Sequence, residues 1–154
     1  MLDSKIELLQ LIPLFDGLTA DELNAIADAG EKVFFVEGEE IITQGEKGDT
    51  AYLVLTGKAN CTRLEKGIAY EDDLWPGTFV GELAMLVETV HGVTVKAHSR
   101  LRALAISRKA FRAVMEEKPR VAKQVAERLL SRLNSLAAEL REVDNKLAQI
   151  GKAA

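Results

Sequence analysis

The chain has 154 residues, 47% hydrophobic and 29% charged, with a formal net charge of −4. That length suffices for one domain with a substantial core, and the composition is ordinary for a globular protein. The acidic balance argues against a sequence-independent nucleic-acid binder, which needs a basic face against phosphates, and leaves any anion recognition to local chemistry.

The single cysteine, Cys61, admits no intrachain disulfide and points to a reducing compartment. On a strand it is expected to pack as a small apolar residue. Asp3, Lys5, Glu7 and Gln10 interrupt any signal-peptide core, and no apolar run approaches the ~20 residues that cross a membrane. A cytoplasmic protein without membrane contact is the expectation.

From about Asp3 to Ile12, apolar residues near helical spacing predict a helix stopped by Pro13. A second helix opens at Thr19, with Glu22 three residues later completing a capping box, and closes at Gly30. Leu23, Ile26 and Ala27 form its expected buried stripe. From Glu31 onward short β-rich runs follow: Lys32–Val36, Glu40–Thr43, Ala51–Thr56, Ala59–Leu64, Ile68–Leu74, Val93–Ala97 and Leu101–Ile106. Glycine-marked turns separate them, the pattern of a barrel or sandwich.

Ser107 is a good N-cap for a helix through Phe111 and Met115. Pro119 then starts a long final helix, predicted to end near Gly151. Ala122, Leu129, Leu136, Val143 and Ile150 recur every seven residues, interleaved with Ala126, Leu133, Leu140 and Leu147. This is an a/d seam over about four heptads and predicts a homodimeric coiled coil. The alternative is a stripe packed on the protein's own strands, but a helix of 30-odd residues is about 45 Å long, more than a small roll covers. Flanking charges leave the orientation open, since Glu139 would approach Asp144 in a parallel pair.

Trp75 to Ala97 is the chemically suggestive stretch. Pro76-Gly77 makes a turn, and Gly81 allows a backbone path closed to a side chain. Leu83–Leu86 is long enough for one helical turn, whose free N–H groups face the Gly81-Glu82 corner. Such a corner can cradle an anion while a carboxylate accepts from sugar hydroxyls; it can equally be a plain turn.

Phe79-Val80-Gly81-Glu82-Leu83-Ala84-Met85-Leu86, followed by Thr94-Val95-Lys96-Ala97, resembles the phosphate-binding cassette of the cyclic-nucleotide-binding domains of the catabolite activator and protein kinase A regulatory subunit type. Ile12–Phe15, Phe35–Glu39, Gln44–Asp49 and Tyr52–Gly57 match the same family in order and spacing. The resemblance covers about residues 10 to 118. It implies a mainly β fold, an eight-stranded antiparallel, jelly-roll-like β-roll with N-terminal helices and a long C-terminal helix. Residues 1–117 would form the binding unit, and 118–154 a dimerising helix and lid. In a parallel dimer that helix would pass on the binding of a cyclic nucleotide, most readily cyclic AMP.

By resemblance, the N–H groups of Leu83 and Ala84 would bind phosphate oxygens, Glu82 would accept from the ribose 2′-OH, and Gly81 would allow close approach. The family's arginine position falls on His91, followed by Gly92 and Val93, and Val90 stands where the family often has proline. Histidine, with a reference pKa near ~6.5, is mostly neutral at neutral pH. A charge-assisted bond is worth roughly 1.5–3 kcal/mol, so its loss weakens phosphate binding by about tenfold to a hundredfold. His91 either carries that charge when protonated or merely fills the loop; Arg63 and Lys96 are the conceivable stand-ins.

Asn134 and Ser135 lie at the helix level from which the family reads the base, or belong to a solvated face. The substitution at His91 keeps a second reading open, a degenerate domain acting as a dimeric scaffold or nucleoside binder. No helix-turn-helix follows before Ala154, so no nucleic-acid partner is expected. No enzyme is expected either, because His91 and His98 do not have ligand spacing and no nucleophile–base pair stands out.

Overall fold

A computed structural model describes residues 4–153; Asp3 and Ala154, at the outer ends of the expected helices, lie outside the described residues. Helix α1 (Ser4–Gln10) leads into a 3-10 turn at Pro13–Phe15, then α2 (Ala20–Ala29). Thr19 Oγ1 accepts from the Glu22 N–H and Glu22 Oε1 from the Thr19 N–H, the reciprocal cap read from the sequence. Leu23, Ile26 and Ala27 are buried as expected.

Ten strands follow: β1 (Glu31–Phe35), β2 (Glu40–Ile42), β3 (Lys47–Gly48), β4 (Thr50–Thr56), β5 (Ala59–Glu65), β6 (Ile68–Leu74), β7 (Phe79–Val80), β8 (Thr89–Val90), β9 (Thr94–Ala97) and β10 (Leu101–Ser107). All pairings are antiparallel. One sheet runs β1-β10-β4-β7, the other β2-β9-β5-β6, and β3 and β8 form a separate ribbon. The expected eight-stranded roll is thus present with two additional short segments. The two-residue strands β3, β7 and β8 are too short to show any periodicity.

Three helices complete the chain: α3 (Glu82–Leu86), α4 (Arg108–Glu117), capped by Ser107 Oγ on the Ala110 N–H, and α5 (Pro119–Ala153). Helix α5 continues through Gly151 to Ala153, two residues past the position near which it was expected to end. A glycine weakens a helix by about 1 kcal/mol but stops it only when the chain turns there.

Two apolar layers hold the roll. Between the sheets lie Ile41, Ile42, Val54, Val95, Leu101 and Ala103. Outside the first sheet, the helices bury Phe15, Ile26, Leu53, Leu104, Ile106, Phe111 and Val121. Phe15 joins this layer to the strand entering the site, with its ring centroid 5.8 Å from Phe79 and 5.9 Å from Phe111.

A polar ladder then fastens α5 to the N-terminal turn. Arg120 pairs with the buried Glu22 and donates to the Gly17 carbonyl (3.1 Å), Gln124 donates to the Asp16 carbonyl (3.1 Å), and Arg128 reaches the Asp16 carboxylate (3.4 Å). Glu22 is held below the ordinary carboxylate value of 4.5, chiefly by the Thr19 N–H, then by the Thr19 hydroxyl and Arg120 acting against burial. A depressed folded-state value means that this stabilisation is full above about pH 4.5 and lost as pH falls through the folded value. Glu22→Gln is therefore expected to lose about 1–3 kcal/mol at pH 7 and to flatten the acid limb of stability against pH, measured by urea unfolding between pH 3 and pH 7.

Candidate functional site

Gly81 joins β7 to α3 in the left-handed region, φ +76°, and a Cβ there would lie 2.7 Å from the Thr50 carbonyl oxygen of β4. Both constraints demand glycine. The turn that follows starts α3, with Met85 N–H on the Gly81 carbonyl at 3.2 Å. Helix geometry leaves the first N–H groups, those of Leu83 and Ala84 among them, without an intrahelical acceptor. The Leu83 side chain is exposed, while Ala84 and Met85 are buried and anchor the turn.

Glu82 does not point into open solvent. Its Oε1 accepts from Arg132 Nη1 at 2.8 Å, which ties the cassette to the middle of α5. Arg132 was not singled out in the sequence. Its signal is the four-residue spacing Arg120, Gln124, Arg128, Arg132, which places all four on one helical face. Arg108 was also missed. From the start of α4 its Nε donates to the Ala84 carbonyl (3.0 Å) and its Nη2 to the Gly48 carbonyl (2.9 Å), bracing α3 against the β3–β8 ribbon.

His91 leaves that ribbon, its N–H on the Glu46 carbonyl and its carbonyl on the Gly45 N–H, both at 2.9 Å. The imidazole lies over Gly48, occupying the space a Cβ would take, and faces a cleft of about 280 Å³ that also reaches Thr50 and Tyr52 of β4. Lys47, Glu40, Glu46 and Asp49 are the charged groups in that cleft. Burial, then the Asp49 charge, push the Tyr52 phenol above its ordinary value, so it stays a neutral donor. Gly92 is exposed and Val93 half-buried against the inter-sheet core.

The other sequence candidates lie elsewhere. Arg63 is spent on Glu65 (3.6 Å) and on the Tyr70 ring (4.7 Å). Lys96 sits on β9 opposite Glu40 and Asn60, exposed. Neither lines the His91 cleft. Asn134 and Ser135 are both exposed on α5; Asn134 is about 200° around the helix from Arg132, away from the cassette of its own chain. Among the described residues, no cluster of three His, Cys, Asp or Glu is placed to hold a metal ion, and no helix is long and apolar enough to cross a membrane. Burial and the neighbouring Asp72 hold the Cys61 thiol above its ordinary value, against the pull of Arg63.

Residues 32–118, more than half the chain, match the sequence profile described as the cyclic nucleotide-binding domain. The chain belongs to the cyclic-nucleotide-binding domain family. Over 101 residues this domain is 37% identical to a cAMP-dependent protein kinase regulatory subunit of Mucor circinelloides f. lusitanicus, covering 65% of the chain and 24% of that protein. It spans about a quarter of the length of the curated relatives it matches. Among solved structures it resembles the catabolite activator protein of Thermus thermophilus, with 29% identity, TM-score 0.70, and 86% of this chain and 63% of that one covered. It also resembles the regulatory domain of Toxoplasma gondii PKA, crystallised with cAMP, with 30% identity, TM-score 0.67, and 85% and 48% covered. The family is thus defined by ligand binding, and its curated members here are regulatory.

Proposed function

We propose that this domain is a non-enzymatic sensor that takes up a cyclic nucleotide, cyclic AMP foremost, at Gly81–Ala84 and His91–Val93. Residues 1–117 act as the binding unit and the helix from residue 118 as its reporter. The observation that carries the reading is the Glu82–Arg132 bond. The carboxylate suited to a ribose hydroxyl is the same group that holds α5, so a ligand that takes up Glu82 changes what the helix leans on. A ligand moves such an element only through different affinity for its two positions.

The test is calorimetric titration with cyclic AMP, paired with hydrogen exchange of α5. Cyclic AMP is expected to alter exchange between about residues 125 and 145 in the wild-type chain. Arg132→Ala should bind while the α5 response disappears. Binding that leaves α5 exchange unchanged in the wild-type chain defeats the reporting role.

The seam of α5 supports a homodimer. Leu133, Leu136, Leu140, Val143, Leu147 and Ile150 are all more than half exposed on one helix, and burying such side chains is worth about 1.5–3 kcal/mol each. Leu140→Glu is expected to shift sedimentation from dimer to monomer without loss of cyclic AMP binding. An unchanged dimer places the interface elsewhere.

A second reading rests on one observation, that His91 shares its cleft with Glu40, Glu46 and Asp49. Carboxylates repel a phosphate and tolerate a neutral sugar, which favours a degenerate scaffold or a nucleoside binder. Thermal shift separates the two: stabilisation by adenosine equal to that by cyclic AMP supports this second reading.

A further inference from the structure

The helices cover the first sheet only in part. At the Gly30 end of β1 the chain packs on Leu104, close enough that a Cβ at Gly30 would come within 2.8 Å of its Cδ1. Toward the other end the sheet's outer face is bare. Phe34 and Val36, two residues apart and so on one face, are 68% and 59% exposed. Strand β1 is also a sheet edge, paired only with β10 among the described residues, and an edge strand turns every second N–H and C=O outward.

Over this end of the sheet, across β1, β10 and β4 and so on the paired side of β1, is a groove of about 410 Å³, lined by Phe34, Phe35 and Val36, Thr56, and the segment Arg100–Arg102. The Arg102 guanidinium lies 5.2 Å from the Phe34 ring centroid. An arginine stacked in this way keeps its in-plane N–H groups free for a carboxylate. Neither Arg100 nor Arg102 makes an ion pair among the described residues. Of the two carboxylates that follow, Glu39 is engaged by the Val36 N–H at 2.8 Å and Glu37 is exposed.

We propose that this edge docks an extended acidic segment of a protein partner, which adds as a strand beside β1. Its carboxylates reach over β1 to Arg102, whose guanidinium lies back across Phe34, and to Arg100, and an apolar residue between them covers Phe34 and Val36. The open backbone groups call for a strand rather than a helix. Two arginines on a chain of net charge −4 suit a few carboxylates and not the continuous charge of a nucleic acid. The proposal is independent of the ligand that the cassette binds.

The test uses the full chain and a designed heptapeptide, acetylated and amidated, of the order Thr-Glu-Thr-Leu-Thr-Glu-Thr. As a strand it presents glutamate, leucine and glutamate on one face. Heteronuclear NMR titration is expected to give saturable binding that moves the amides of residues 31–36 and 100–102. Replacing both peptide glutamates by lysine, or the central leucine by proline, should weaken binding by at least tenfold. The double variant R100E/R102E, whose changes are fully on the surface, should reverse the preference and bind the lysine peptide. The proposal is overturned by absence of saturable binding up to about 1 mM, or by binding that the double variant does not alter. Concentration-dependent self-association that Phe34→Ser abolishes, without peptide binding, would assign the face to a second copy and likewise overturn it.

Discussion

Gly81→Ala is expected to be the most damaging single-methyl change in the site. The residue sits at φ +76°, and a Cβ would stand 2.7 Å from the Thr50 carbonyl oxygen. The left-handed backbone alone costs about 1–2 kcal/mol for a residue with a side chain. The contact adds to this because the obstacle is strand backbone rather than a side chain that swings aside. Together they amount to about 2–4 kcal/mol, a fall in Tm of roughly 5–15 °C for a domain of this size. Gly67 supplies the control, since it has φ +79° at the β5–β6 turn with open space around it. Gly67→Ala should show only the backbone cost and bind ligand normally. Gly81→Ala should lose at least tenfold in cyclic AMP affinity, because relieving the contact pushes the α3 amides away from β4. Equal losses of stability in the two variants would show that the Thr50 contact carries no weight.

His91 governs the second large effect. An imidazole offers a phosphate a cation only when protonated. A monoanion prefers the protonated form, so cyclic AMP affinity is expected to fall as pH rises from 6 to 8. The groups that face His91 in the cleft are the carboxylates of Glu40, Glu46 and Asp49, with Lys47 and Tyr52. His98, the other histidine, is exposed after β9, and His98→Gln should leave the profile unchanged. His91→Arg is expected to raise affinity at pH 8 by about tenfold to a hundredfold and to remove the pH dependence. Binding indifferent to pH, with no gain in the arginine variant, would assign His91 no charge role. No heat from either protein at either pH, with no thermal stabilisation, favours the degenerate scaffold.

Much of this molecule was legible in the sequence where local chemistry and long-range packing agree. The Thr19–Glu22 box, the Ser107 cap and the glycine-separated strands are local devices, and each appears where expected. What escaped was either very short or supplied by distant chain. Strands β3, β7 and β8 are two residues each and exist because neighbouring strands offer them partners. Arg108 and Arg132 read as ordinary surface arginines, and their roles depend on carbonyls and a carboxylate 24 to 60 residues away. The site showed the same division: the Gly81–Ala84 corner follows from its own residues, whereas the carboxylates around His91 are collected from β2 and the β3 region by the fold.

The 35 residues of α5 span about 52 Å, yet among the described residues its polar fastenings to the β-roll and N-terminal turn run only from Arg120 to Arg132. Beyond that point roughly 30 Å of rigid rod projects outward. A tilt of about 10° at the Glu82 attachment would carry the far tip sideways through roughly 5 Å. In the dimer proposed above, a small adjustment at one carboxylate would be read out as a sideways displacement of the far tips.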